Sequence, residues 1–203
     1  KYVEIIPYRW TTVDQILKLE KQYGVQVAGI HMPVWWGKTI WQHIAREQKF
    51  LDKLFAFVWN FYLGDAKRSQ GLAIAEALAA RQQYVLFHTP VVRDMGPAFD
   101  EVAEKFHTLI ENIPYYPGHD EFFWSPLAIK ADIKQRGTNA GLVFDAGHFN
   151  QSRARLPGLN LFEMYNQISP EVIHISYNSQ FLHLLPNAKE QEDLKQLIKI
   201  NPP

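Results

Sequence analysis

The sequence predicts an α/β fold built on a parallel sheet. Three observations carry this. Strand-like and helix-like segments alternate along the whole chain, the order that a parallel sheet with crossover helices requires. The strand-like segments are short, continuous apolar runs such as Gly141-Leu142-Val143-Phe144, as expected where both sheet faces are covered. No repeat, low-complexity stretch or shift in composition marks a linker within the 203 residues, so a single domain spanning 1–203 is expected.

The elements follow in order. Val3 to Ile6 is a β-branched strand. Thr11 or Thr12 is placed to cap a helix with Val13, Ile16 and Leu17 on one face, and Gly24 is placed to stop it. Val25 to Ile30 is a strand that ends at His31. Leu51, Leu54, Phe55 and Val58 give helical spacing to a long stretch from about Trp41 to Tyr62. A second helix is expected from about Leu72 to Gln82. Tyr84-Val85-Leu86-Phe87 is a strand ending at His88, and Pro97 suits the first position of a helix carrying Phe99, Val102 and Phe106. Thr108 to Ile113 is a strand containing Glu111. Its connection to the preceding helix is tight against the roughly 2–6 residues usual for such links, which residues missing between them would explain. Ser125-Pro126 opens a helix that ends near Gly137, and Gly141 to Phe144 is a strand ending at Asp145. Asn160 caps a helix to about Ile168, and Val172 to Ser176 is the last strand.

Composition excludes several functions. Lysine plus arginine equals aspartate plus glutamate, at 21 each, so there is no electrostatic footprint for nonspecific binding to nucleic acid or an anionic membrane. The absence of cysteine removes any disulfide framework and any thiolate zinc site. No stretch approaches the ~20 apolar residues of a membrane span, and no long apolar run follows Lys1. A cytoplasmic protein that makes no membrane contact is therefore expected. Both ends read as cut, the first opening directly on a strand.

The informative residues are ionisable and lie at strand ends. Glu4, His31, His88, Glu111, Asp145 and His174 fall within or just after apolar strands, where an unpaired charge or imidazole is costly. They would converge if the sheet closes into a barrel, whose post-strand loops build the active site. Converging carboxylates and imidazoles suit a divalent cation. Each residue also has a plainer role. A lone histidine at a strand end is usually a hydrogen-bonded structural residue, Asp145 could cap a helix or shape a turn, and Glu4 could orient a neighbour or meet solvent. Glu111, inside Leu109-Ile110-Glu111-Asn112-Ile113, is the hardest to explain structurally. Asp145-Ala146-Gly147-His148 brings an acid and an imidazole off one strand end together, with Gly147 permitting a tight turn.

These segments resemble the xylose isomerase-like TIM-barrel superfamily of sugar isomerases, sugar epimerases and endonuclease IV. The resemblance rests on Val3-Glu4-Ile5, Gly29-Ile30-His31-Met32-Pro33, Phe87-His88-Thr89-Pro90, Ile110-Glu111-Asn112-Ile113-Pro114, Gly141 to His148 and Ile173-His174-Ile175-Ser176, which span nearly the whole chain in family order. It implies a (β/α)8 TIM barrel in which strand one precedes Lys1 and strand eight follows Pro203. A length of 203 residues then stands for most of a barrel that typically needs about 250. In the sugar isomerase branch the resemblance makes Glu111, Asp145 and His174 metal ligands, with a fourth, a strand-eight glutamate, outside the sequence. It also implies that His148 contacts substrate, and that His31 and His88 take positions that contact substrate in isomerases and bind zinc in endonuclease IV; Glu4 is a further substrate-binding candidate.

The resemblance further implies a metal-dependent sugar or polyol isomerase or epimerase. A divalent ion polarises a carbonyl, a carboxylate moves the adjacent proton, and the metal-stabilised enediolate is reprotonated elsewhere. Glu111 and His148 are the expected catalytic residues, with Mn or Mg, or else Zn, as the ion. Trp35, with Trp36 and Trp41, could wall a sugar ring, or simply pack; Tyr115 and Tyr116 carry the same two readings. An unphosphorylated small sugar or polyol is preferred, since no glycine-rich phosphate loop is present. A homo-oligomer could use Trp59 and Phe61. One alternative is an endonuclease IV-like zinc phosphodiesterase acting on abasic DNA. Against it stand the neutral charge and the lack of that family's later Asp-x-His pair after His174. A second alternative is a non-catalytic barrel that binds a sugar-like ligand, since Tyr177-Asn178 stands where the family often continues with an acidic residue.

Overall fold

The computed structural model describes residues 1–8, 10–32, 54, 70–175, 177–179, 182–184 and 188–200. The helix expected from Trp41 to Tyr62 lies outside the described residues apart from Leu54, which is helical and exposed. Trp35, Trp36, Trp41, Trp59 and Phe61 lie outside them too. Strands β1 (Tyr2–Ile5), β2 (Gln26–His31), β3 (Tyr84–His88), β4 (Thr108–Glu111), β5 (Gly141–Asp145) and β6 (Val172–His174) form one six-stranded sheet in chain order. The β1–β2, β2–β3 and β5–β6 pairs are parallel. Among the described residues no helix is long and apolar enough to cross a membrane.

The chain divides into two compact units, one of residues 1–109 with 138–140, the other of 110–137 with 141–203. In the first unit, Thr12 caps α1 (Val13–Tyr23) with a reciprocal capping box through Gln15. Gly24 ends the helix as expected. Glu20, buried on α1, accepts the Val27 N–H at 2.7 Å and meets Arg81 at 2.8 Å, which ties the helix to the start of β2. Residues 70–77 are helical and 78–81 turn, so the helix predicted to Gln82 stops earlier. Two helices then follow β3, α2 (Thr89–Met95) and α3 (Pro97–Lys105). Gly96 joins them at φ 56° and ψ −127°, a conformation that a side chain would resist. Pro97 opens α3 as predicted. The tight link to β4 needs no further residues. Phe106 is extended at φ −127° and ψ 152°, and the His107 carbonyl accepts the Val85 N–H at 2.9 Å. Val27, Ile30, Val85, Phe87 and Phe99 fill the core, Phe87 and Phe99 edge to face at 5.5 Å.

In the second unit, the strand predicted to Ile113 stops at Glu111. A short helix α4 (Glu121–Trp124) precedes α5 (Pro126–Arg136), which Ser125 caps and Gly137 ends. Asp145 closes β5 and caps α6 (Ala146–Arg155) directly. Asn160 caps α7 (Leu161–Ile168), accepting the N–H groups of Phe162 and Glu163. Phe144, Phe149 and Tyr165 make the aromatic centre of this core. The strand predicted to Ser176 ends at His174. A short antiparallel pair follows, β7 (Tyr177–Ser179) with β8 (Leu182–Leu184), then α8 (Ala188–Ile200).

Candidate functional site

Three strands of the second unit end on ionisable residues. Glu111 is the last residue of β4, Asp145 of β5 and His174 of β6. Asp145 and His174 are register partners in the parallel β5–β6 pair, so their side chains leave the sheet side by side. One ligand atom from each of Glu111, Asp145 and His174 lies within 4.8 Å of the other two. His174 Nδ1 meets Glu111 Oε1 at 2.8 Å. An ionised carboxylate only accepts, so this nitrogen carries the proton in that contact.

Burial makes the cluster demanding. Glu111 and Asp145 are each 1% exposed. Burial pushes the Asp145 carboxyl above its ordinary range. Opposing this are the neighbouring His148, the His148 backbone N–H and His174, while the Glu111 charge adds to the rise. Two ionised carboxylates with a neutral imidazole carry two negative charges in a low-dielectric setting. A divalent cation would offset both, and an oxygen-rich set with one nitrogen suits Mn, Mg or Zn. The donor chemistry therefore fits a divalent ion, with these three residues as its candidate holders.

The turn from β5 into α6 places His148 beside this cluster. Asp145 Oδ1 accepts the His148 backbone N–H at 2.6 Å, so the capping role and the site role fall on one carboxylate. His148 Nδ1 lies 2.7 Å from the Asn112 carbonyl oxygen. A carbonyl cannot donate, so Nδ1 holds the proton and Nε2 is the acceptor nitrogen.

Asn112 is the residue that sequence reasoning missed. It is fully buried. Its Oδ1 accepts the Asp145 N–H at 3.0 Å, and its Nδ2 donates to the Asp145 carbonyl at 3.2 Å. One amide thus clamps the backbone of Asp145 while its own carbonyl sets the His148 tautomer. An amide directly after a buried strand-end glutamate was the available signal. Ser152, one turn beyond His148, supports the same loop by donating to the His148 carbonyl and accepting the Tyr115 N–H.

In the first unit the structure brings together Glu4, His31 and His88. His31 Nδ1 meets Glu4 Oε1 at 3.0 Å, and His31 Nε2 lies 3.4 Å from His88 Nδ1. The two imidazole rings are 4.7 Å apart at 35°. Trp35 lies outside the described residues. Tyr115 packs edge to face on Trp124, and Arg155 lies over the Tyr116 ring while donating to the Tyr115 carbonyl.

No protein-family profile matches the chain. No curated protein matches it significantly in sequence. Among solved structures it is similar to the crystal structure of AP endonuclease, family 2 from Brucella melitensis. The identity is 16%, the TM-score 0.55, and the match covers 98% of this chain and 77% of that one. At that identity the likeness speaks for the fold alone, a TIM barrel in partial form with six strands in one sheet.

Proposed function

We propose that this chain is a metal-dependent isomerase or epimerase of a small, unphosphorylated sugar or polyol. The observation that carries the reading is the convergence of Glu111, Asp145 and His174 from three successive strand ends. Held by these residues, a divalent ion would supply Lewis acidity at a substrate carbonyl and acidify the adjoining C–H bond. The Glu111 carboxylate takes the proton from that carbon and returns it to the neighbouring carbon while the hydroxyl proton passes to the former carbonyl oxygen; return to the opposite face of the same carbon would take a second carboxylate. His148, with its proton fixed on Nδ1 by Asn112, accepts a substrate hydroxyl at Nε2 and orients the chain of carbons. Incubating the Mn-loaded protein with a panel of ketoses and inososes tests this. Product formation and solvent-deuterium incorporation at one carbon are expected, and both should vanish in Glu111→Gln. Metal binding without exchange on any member of the panel would favour a barrel that binds ligand without turning it over.

A second reading has one observation in its favour, the AP endonuclease named in the structural match. Under it, the chain would cut abasic DNA with zinc. The equal numbers of acidic and basic residues weigh against it, because phosphate binding favours a basic surface. Incision of an abasic duplex by the zinc-loaded protein would replace the isomerase reading.

A further inference from the structure

We propose that Tyr84 is a positioning residue for His31, and that Gly29 exists as a gap for its ring. Glu4 on β1 pairs with Gly29 on β2, and Gly29 pairs with Tyr84 on β3. The register shifts between Val3 and Glu4, since Val3 faces Val27 while Glu4 faces Gly29. That irregularity sets Glu4, Gly29 and Tyr84 in one row across three strands. Residues in one row of a parallel sheet point to the same face. The centre of the row has no side chain.

Tyr84 fills that space. A Cβ built on Gly29 would overlap ring carbons Cε2, Cζ and Cδ2 of Tyr84. The ring therefore lies across β2, and its hydroxyl donates to Glu4 Oε2 at 3.0 Å. The other carboxylate oxygen, Oε1, takes the His31 Nδ1–H at 3.0 Å. His31 stands two residues beyond Gly29 on the same face of β2, and its Nε2 is directed at His88 Nδ1.

The order of these contacts gives Tyr84 its role. Glutamate has three side-chain torsions and Glu4 is 21% exposed at its side chain, so nothing intrinsic holds it over His31. A phenol fixed on one oxygen leaves the other aimed at Nδ1. Because an ionised carboxylate only accepts, Nδ1 then holds the proton and Nε2 faces His88 as the other pole of the ring. The same oriented imidazole is what a polar ligand would meet. That consequence rests on the proposed function, whereas the geometry does not. No residue of this row other than Glu4 stands out in the sequence, since a tyrosine opening an apolar strand reads as packing.

The test uses the full chain labelled with 15N-histidine, with the His31 signals assigned by their loss in His31→Gln. The wild type is expected to show one His31 tautomer, protonated at Nδ1. Tyr84→Phe removes only the hydroxyl. It should move the thermal midpoint by no more than about 5 °C, yet bring the two His31 nitrogen shifts toward each other as tautomers mix. Gly29→Ala should give the same signature by displacing the ring. If Gly29→Ala fails to fold, the double variant Gly29→Ala/Tyr84→Ala removes the overlap and should fold with mixed His31 tautomers. An unchanged His31 spectrum in Tyr84→Phe, or in the folded double variant, would overturn the proposal. No substrate or metal enters the measurement. A Tyr84-dependent His31 signature in a protein without isomerase activity would discard the activity and leave the positioning role standing.

Discussion

The two polar clusters are built from the same residue types and reach opposite electrostatic outcomes. In the first unit, Glu4 is surrounded by donors, a phenol on one oxygen and an imidazole on the other. Its charge is answered inside the protein, and the side chains of Glu4 and His31 keep some exposure, at 21% and 13%. In the second unit, Glu111 and Asp145 sit at 1% exposure each, and burial pushes the Asp145 carboxyl up against the opposing pull of His148 and His174. One cluster is a self-satisfied hydrogen-bond chain. The other is a candidate holder of a cation. Strand-end glutamates and histidines alone do not distinguish the two; the number of buried carboxylates does.

Removing a carboxylate from the demanding cluster should have the largest effect. Asp145→Asn keeps an oxygen to cap α6 but loses the charge. Affinity for Mn should fall by more than about 100-fold, beyond what an outer partner alone contributes, as read by calorimetric titration. The same variant should not lose stability in the metal-free state, because the charge it removes is the one penalised by burial. A metal-free melt showing marked destabilisation would mean that the carboxylate is answered by the fold after all.

Next comes Asn112→Ala, which removes the clamp on Asp145 but no ligand. Mn affinity should drop about 10- to 100-fold, the usual range for an outer partner of a ligand. An unchanged affinity would make Asn112 a purely structural residue.

The pH dependence should have opposite signs with and without metal. The folded Asp145 pKa is raised above 3.8. In the metal-free protein its contribution to stability is thus fully present below the unfolded pKa and lost as pH rises through the folded one. The metal requires the carboxylate, so its affinity should fall as pH drops toward that raised value. Melting curves with and without Mn, taken as pH rises from 3.8, should show a metal-induced shift that grows with pH. A shift independent of pH would contradict the assignment of Asp145 as a ligand.

The smallest effect is expected in the self-satisfied cluster. Glu4→Gln keeps the size but only one of the two acceptor oxygens, and loses the charge-assisted bond to His31. A loss of no more than about 1 kcal/mol is expected at this partly exposed site, read by urea unfolding. A loss several times larger would mean that the Glu4 charge is held by its two donors far more strongly than a partly exposed site allows.

The strands and the ionisable residues at their ends were legible because a continuous apolar run broken by Glu, Asp or His is visible in one dimension. Caps at Thr12, Ser125 and Asn160 were legible for the same reason, as local chemistry. Helix α6 was not, since Ala-Gly-His-Phe-Asn-Gln-Ser-Arg shows no apolar stripe and owes its position to Asp145 at its start. Helix α2 was hidden by Pro90 and the β-branched pair Val91-Val92, which tertiary burial overrides. Asn112 and Tyr84 act by reaching across to other strands. No local pattern records which amide will clamp the backbone, or which phenol will meet the carboxylate, of a residue on another strand.

Crystals of the full chain grown with Mn and measured at the metal's absorption edge test the central claim most directly. The account predicts one anomalous peak in contact with Glu111, Asp145 and His174, absent from crystals of Asp145→Asn grown in the same way. A peak elsewhere that touches none of the three, or the same peak retained in the variant, would contradict it.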